Sequence, residues 1–363
     1  MTSNSLAVVG TGLIGTSIAM AAARAGCDVR GWDVDAAAAE RASSRAGLRT
    51  ARSLREAVED ADLVVISSPI AEIAGLAAQA LEAAPGAAVT DTASIKLPVA
   101  RAVEAAAASA SLPRFVGSHP MGGSERSGPD HASESIVDGI VWVVTPTEAS
   151  GPEAVERVEA WVRRFGAIPV RMEPGRHDRL VAFVSHLPQV ASTTLMSLAA
   201  AEEASEPEIL LLAAGGFRDL TRLAASNPAL WSEILLANRD AIAEAIDLYV
   251  ERLTSLRDLV AGERADEVRD AFAAAKAARL TLAAKPHVRA GVVVLQIGIP
   301  DRPGALAQLT GALAEAAVNI EDLQIVHSPE GGRGTVYLTV AGAAETDAQR
   351  VLGEHGFDPT RLA

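Results

Sequence analysis

Short apolar runs alternate with Ala-rich stretches of helical length over the first half of the chain. Residues 6–10 read as a buried strand that turns at once into an apolar helical run ending near Ala25-Gly26, and residues 28–33 form a second strand. Runs at 62–69, 87–92, 115–120, 140–144 and 168–172 repeat the pattern. Such alternation predicts an α/β fold, a Rossmann-type doubly wound and mostly parallel sheet, over residues 1–173. From 174 to 285 the strand signal vanishes. Runs at 178–202, 208–222, 228–259 and 263–283 carry helical spacing with broad apolar faces, predicting an all-helical domain and a packing surface for a second chain. Lys285-Pro286-His287 reads as a linker. The pattern then resets to strand 291–299, turn 301–304, helix 305–316, strand 320–327, hairpin turn 329–334, strand 335–340, helix 346–355 and a short last strand. This βαββα(β) order predicts a small regulatory-type α+β domain over 290–363.

The first turn carries chemistry. Gly10, Gly12 and Gly15 stand as G-x-G-x-x-G between strand and helix, with Leu13 and Ile14 opening the helix. Gly10 permits the tight turn, Gly12 lets backbone approach a pyrophosphate, and Gly15 lets helix and strand pack closely. The helix N-terminus favours an anion. Asp33, about 20 residues on, is placed to accept from the adenosine ribose hydroxyls and would repel a 2′-phosphate, which favours NAD over NADP. Ligands in such sheets bind beyond the carboxyl ends of the strands, where Ser67, Ser94 and His119 all stand. Ser67-Ser68-Pro69 reads either as a cofactor-facing turn or as a plain helix cap.

Charge and cysteine content narrow the class. The 363 residues are 49% hydrophobic and 21% charged, as in a globular protein, and the net charge of −14 with scattered Lys and Arg argues against a nucleic-acid surface. The single cysteine, Cys27, allows no intramolecular disulfide and no metal cluster, and reads as a small buried residue. No signal peptide and no membrane-length apolar run is evident, so the expectation is a cytoplasmic protein without a membrane partner.

Residues 121–139, Gly/Ser-rich and charged directly after His119, read as a loop over the site or as a surface excursion. In the helical part, Arg218 and Arg222 lie four apart behind Gly215-Gly216. They read as an anion-binding face or as ion pairs with acids such as Asp219.

Several stretches resemble prephenate dehydrogenases of tyrosine biosynthesis: 91–96 (DTASIK), 117–128 (GSHPMGGSERSG), His177-Asp178, 185–188 (SHLP) and 215–222 (GGFRDLTR), with Pro228, Trp231 and Asn238. The tail resembles an ACT domain at Asp301-Arg302-Pro303-Gly304 and Val318-Asn319-Ile320. The resemblance implies NAD-dependent oxidative decarboxylation of prephenate to 4-hydroxyphenylpyruvate, a homodimer through the helical domain, and feedback control by tyrosine. It implies His119 as acceptor for the substrate hydroxyl, with Ser94 sharing that contact. Arg222 would bind a carboxylate, Arg218 and Glu125 would gate the pocket, and His186 and Gln189 would line it. The family commonly has Lys where Arg218 stands, and some relatives carry His where Gln189 stands.

Other readings remain open on sequence. Arogenate would present an ammonium to the pocket, and the 186–189 segment offers no acid to pair with it, which favours prephenate. A β-hydroxyacid dehydrogenase shares the domain plan but leaves the tail unexplained. A non-catalytic sensor of NAD and an amino acid would not need Ser94, His119 and Arg222.

Overall fold

The computed structural model describes residues 4–122, 126–283, 292–327 and 333–362. The chain forms two compact units, Met1–Leu211 with Asp219–Glu251, and Leu212–Arg218 with Arg252–Ala363.

The first unit opens with β1 (Ser5–Val9), α1 (Leu13–Arg24), β2 (Asp28–Trp32), α2 (Ala36–Ala46), β3 (Arg49–Thr50), α3 (Leu54–Val58), β4 (Leu63–Ile66), α4 (Ile70–Ala83), β5 (Ala88–Asp91) and α5 (Leu97–Ala106). The five strands form one parallel sheet in the order β3-β2-β1-β4-β5, the doubly wound topology expected. Alternate residues of β1 feed two cores, as period-two side chains must when helices cover both faces. Leu6 and Val8 join Ile18 and Ala22 of α1, whereas Ala7 and Val9 join Val58, Ile73 and Leu81 of α3 and α4.

Beyond α5 the chain bridges back beside β5, through Val89 and Phe115, and enters β6 (Gly117–Pro120). β7 (Val141–Thr145) runs antiparallel to β6, and α6 (Pro152–Arg164) returns the chain to β8 (Ile168–Arg171), parallel to β7. The strands after β5 are therefore a small mixed sheet rather than a simple continuation. Within 121–139, residues 123–125, and so Glu125, lie outside the described residues. The part after Gly128 forms two tight turns fixed to α1 and α2: Arg45 Nε donates to Ala132 O (2.8 Å), Ser133 N donates to Ser17 Oγ (3.2 Å), and Ala132 and Val137 are buried. Cys27 is half-buried, its thiol beside Asn4 Oδ1.

The helical runs are more broken than their periodicity suggests. α7 (Pro174–Val181) passes through a π turn at Ala182–His186 before α8 (Leu187–Glu202). Pro188 explains the break: it has no N–H for the Val184 carbonyl and its ring crowds that carbonyl, so the turn widens. The expected helix at 208–222 is α9 (Glu208–Leu211), α10 (Gly215–Thr221) and a 3-10 turn at Arg222–Ala225. Arg222 thus lies past the end of the helix that carries Arg218, and the pair does not share one regular helix face. α11 (Pro228–Ala237), N-capped by Asn227, stops at Asn238 before α12 (Arg239–Ala261) and α13 (Ala265–Ala283). No helix among the described residues is long and apolar enough to cross a membrane.

The linker at 285–287 lies outside the described residues, as does most of the hairpin turn at 329–334. The second unit ends in β9 (Val292–Pro300), α14 (Ala305–Glu315), β10 (Ile320–His327), β11 (Arg333–Ala341), α15 (Glu345–Glu354) and β12 (Pro359–Arg361). All pairings are antiparallel in the order β10-β11-β9-β12, over a core that includes Leu295, Ile297, Leu309, Leu338 and Leu352.

Candidate active site

The glycine turn is built by backbone approach. Gly10 has φ +91°, and a Cβ there would stand 2.3 Å from Ser67 O. A Cβ on Gly15 would stand 2.0 Å from Gly10 O. At Gly12 a Cβ would meet nothing within 4 Å, and no side chain caps the α1 N-terminus. Its first N–H groups, including those of Leu13 and Ile14, have no side-chain cap among the described residues and can receive an anion. Asp33 is set by two backbone donors: Thr11 N to Oδ2 (2.7 Å) and Asp35 N to Oδ1 (2.9 Å). Ser67 does not cap α4, whose cap position is Pro69; its hydroxyl accepts from Thr92 Oγ1 at 3.2 Å. Open backbone donors, an uncapped helix and a fixed carboxylate one strand away fit a dinucleotide.

The carboxyl ends of β5 and β6 hold a buried network. Lys96, 1% exposed, binds the Asp91 carboxylate and donates to Ser118 O (2.6 Å). Ser118 Oγ donates to Asp91 O (2.8 Å) and accepts from Thr90 Oγ1 (2.8 Å) and Trp142 Nε1 (2.9 Å). These contacts fix the strand end that carries His119. Burial lowers the Lys96 pKa and Asp91 raises it, the first effect being larger.

His119 Nδ1 lies 3.0 Å from His177 Nε2, and His177 Nδ1 lies 2.8 Å from Asp178 Oδ1. Asp178 also accepts from Lys96 N (2.7 Å) and Leu97 N (2.8 Å) at the start of α5. Asp178, receiving two backbone donors at a helix N-terminus, is set to accept from His177 Nδ1–H, and in a neutral His177 ring Nε2 then accepts. His119 must then donate from Nδ1, which leaves Nε2 as a bare acceptor. That atom has no hydrogen-bond partner among the described residues. Burial first, then the positive ends of His177, Lys96 and His186, hold the His119 pKa well below the usual histidine range. At neutral pH the ring is neutral and able to accept.

His186 sits in the π turn, 1% exposed and edge-on to Trp231 at 6.0 Å between ring centres. Asn238 Nδ2 donates to Asp178 O (2.9 Å) and meets His186 Nδ1 (3.2 Å). Because the same nitrogen faces a carbonyl oxygen, it is the amide NH2, so His186 Nδ1 accepts and Nε2 carries the proton. Burial pushes the His186 pKa down to about 4 against the opposing pull of Asp178. Gln189 is committed elsewhere: its Nε2 donates to Leu223 O (2.8 Å) and its Oε1 accepts from Ser226 Oγ (3.3 Å). It braces the turn that begins at Arg222. Ser94 is half-buried in the bend after β5. Arg222 falls in the first unit and Arg218 in the second. Sequence reasoning assigned no role to Lys96, His177, Asp178 or Asn238. Their signal was the motif stretches themselves, since polar residues stand there amid apolar runs.

Known proteins match this plan along the chain. The nucleotide-binding domain of prephenate dehydrogenase matches residues 18–170, its dimerization domain 173–274, and the ACT domain 293–356. The prephenate dehydrogenase of Bacillus subtilis is 30% identical over 96% of this chain and 94% of that protein. The crystal structure of prephenate dehydrogenase from A. aeolicus, in complex with hydroxyphenyl propionate and NAD+, superposes with TM-score 0.72 at 26% identity over 78% of this chain and 99% of that one. Synechocystis arogenate dehydrogenase does so with TM-score 0.67 at 28% identity, over 77% and 99%. Two of these relatives are named for different substrates, and the chain belongs to the prephenate dehydrogenase family.

Proposed function

We propose that this protein catalyses NAD-dependent oxidative decarboxylation of prephenate to 4-hydroxyphenylpyruvate, CO2 and NADH in tyrosine biosynthesis. The observation that carries this reading is the open Nε2 of a neutral His119 at the end of β6, in the same unit as the dinucleotide turn. When bound, NAD+ supplies the hydride acceptor. The chain supplies the rest. His119 draws the proton from the 4-hydroxyl as the carbinol C–H breaks, and Ser94 shares that hydrogen bond. Arg222 offers a carboxylate a planar fork, and His186 offers a donor from Nε2. The family resemblance also implies a gating role for Arg218 and Glu125. Gln189 acts through the Arg222 turn rather than by touching substrate. Loss of CO2 aromatises the ring and drives the step.

Working boundaries of 1–173, 174–285 and 290–363 divide cofactor binding, substrate binding with dimerisation, and regulation. A homodimer through the helical part is supported by exposed Leu198, Leu230, Leu236 and Tyr249. Tyrosine is the proposed effector of the ACT domain. A cavity of about 210 Å³ between the Pro300–Leu306 turn and Ile325 offers it an apolar wall beside the turn backbone.

The test is NADH or NADPH formation with prephenate and with arogenate, each offered NAD+ and NADP+. Turnover with prephenate and NAD+ is expected. Preference for arogenate would overturn the substrate assignment, and preference for NADP+ would overturn the reading of Asp33.

A further inference from the structure

The overall reaction is balanced without a net proton. Prephenate dianion and NAD+ give 4-hydroxyphenylpyruvate monoanion, CO2 and NADH. A proton taken from the hydroxyl must therefore be replaced on the same oxygen by the end of the reaction. His119 is a poor place to store it. Its strand neighbour Ser118 is bound through its carbonyl by the Lys96 ammonium, and His119 itself touches no carboxylate among the described residues. His177, one hydrogen bond further in, rests on the Asp178 carboxylate.

Resting on the dehydrogenase reading above, we propose that the hydroxyl proton is held on His177, paired with Asp178, and is handed back through His119 as the ring aromatises. In the forward step the substrate O–H breaks as His119 Nε2–H forms, and His119 Nδ1–H breaks as His177 Nε2–H forms. The C–H pair leaves with the hydride to NAD+, and the O–H pair becomes the second bond of a carbonyl. When CO2 leaves, the C–C pair enters the ring, the carbonyl pair returns to oxygen, and the proton retraces its path. His177 and Asp178 are positioning residues in this scheme: they set the His119 tautomer and carry the charge it cannot hold. The depressed proton affinity of His119 agrees with this division.

The arrangement is symmetric in its hydrogen bonds. Before the step, each ring is protonated on Nδ1. After it, His119 is again neutral, now with its proton on Nε2, and His177 is an imidazolium between His119 Nδ1 and Asp178 Oδ1. Every intermediate therefore has a donor facing an acceptor, and the rings need no rotation.

The experiment has two readouts on the full-length protein. Nitrogen-15 spectra of histidine-labelled enzyme, assigned with His119→Asn and His177→Gln, should show both rings neutral with Nδ1–H at neutral pH. A His119 proton on Nε2 overturns the relay whatever the substrate. In steady-state kinetics with prephenate and NAD+, His177→Gln keeps an acceptor for His119 Nδ1–H but cannot hold the proton. It should lower kcat by about tenfold to a hundredfold with the prephenate KM within about twofold of wild type. An unchanged kcat overturns the proposal. Should His177→Gln not fold, Asp178→Asn keeps both rings, and the same fall in kcat is expected and the same constancy overturns it. Failure of wild-type enzyme to oxidise prephenate would instead overturn the function reading, and the spectra would still decide the tautomers.

Discussion

The dinucleotide turn and the histidine centre lie in the same unit but are held by different means. At the turn, backbone meets backbone: Gly15 against Gly10, and Gly10 against Ser67. At the centre, side chains from β5, β6 and α7 meet Lys96 and the backbone at the start of α5, and each donor is matched to an acceptor. The first arrangement is sensitive to added volume. The second is sensitive to loss of a single proton-bearing or proton-accepting atom.

The sharpest break is expected at the second. His119→Asn should lower kcat by about 10³-fold, or roughly 4 kcal/mol of barrier, while NAD+ affinity measured by fluorescence titration stays near wild type. Lys96→Met should cost about 3–5 kcal/mol in urea unfolding. It leaves the buried Asp91 charge without its cation, and Asp91 Oδ2 already has no hydrogen-bond partner among the described residues.

Acid should reach the same region without mutation. An unfolded histidine titrates near 6.5, whereas folded His186 titrates at about 4. Between these values the unfolded chain binds a proton that the folded chain refuses. Stability is therefore full above pH 6.5 and falls by roughly 2–3 kcal/mol as pH drops toward 4, with His119 acting in the same direction. Thermal melts across this range check it, and the loss should shrink in His186→Asn.

The glycine turn should respond more mildly. Gly15→Ala should cost about 1–3 kcal/mol and weaken NAD+ binding, because Gly10 must move away from its cofactor-facing position. Asp33→Ser should have the smallest effect, raising the NAD+ KM by about tenfold and admitting NADP+, since the carboxylate that would repel a 2′-phosphate is gone. A drop in stability larger than that of Gly15→Ala would mean that Asp33 serves the fold through Thr11 more than it serves the cofactor.

The same contrast explains what could be read from sequence. Gly10, Gly12, Gly15 and Asp33 fall within one strand–helix–strand unit, so local spacing defines both their structure and their chemistry. The doubly wound sheet and the antiparallel tail follow from short-range periodicity in the same way. The histidine centre joins residues 58 and 82 positions apart, His119 with His177 and Lys96 with Asp178. No local pattern encodes those meetings. His119 is legible because it ends a strand, whereas His177-Asp178 stands out only as part of a family resemblance, with no local sign of what it meets. The helix breaks were missed for a related reason. Apolar periodicity runs through Pro188 and Asn238, and only the chemistry of those residues stops the helices. Gln189 stands near the correct place, but its amide is taken by Leu223 and Ser226, a matter of tertiary geometry.

Asp178 serves as a distant N-cap for α5 and as the anion beneath His177. Folding and catalysis are therefore tied to one carboxylate. The acid–base centre does not exist until α7 has docked on the start of α5, so catalytic competence reports the last stage of tertiary assembly rather than the formation of the sheet. In refolding experiments, recovered activity should track burial of the segment 174–186 and lag behind recovery of dinucleotide binding. A chain that binds NAD+ without turning over substrate would then be a folding intermediate, with its sheet complete and its helix still undocked.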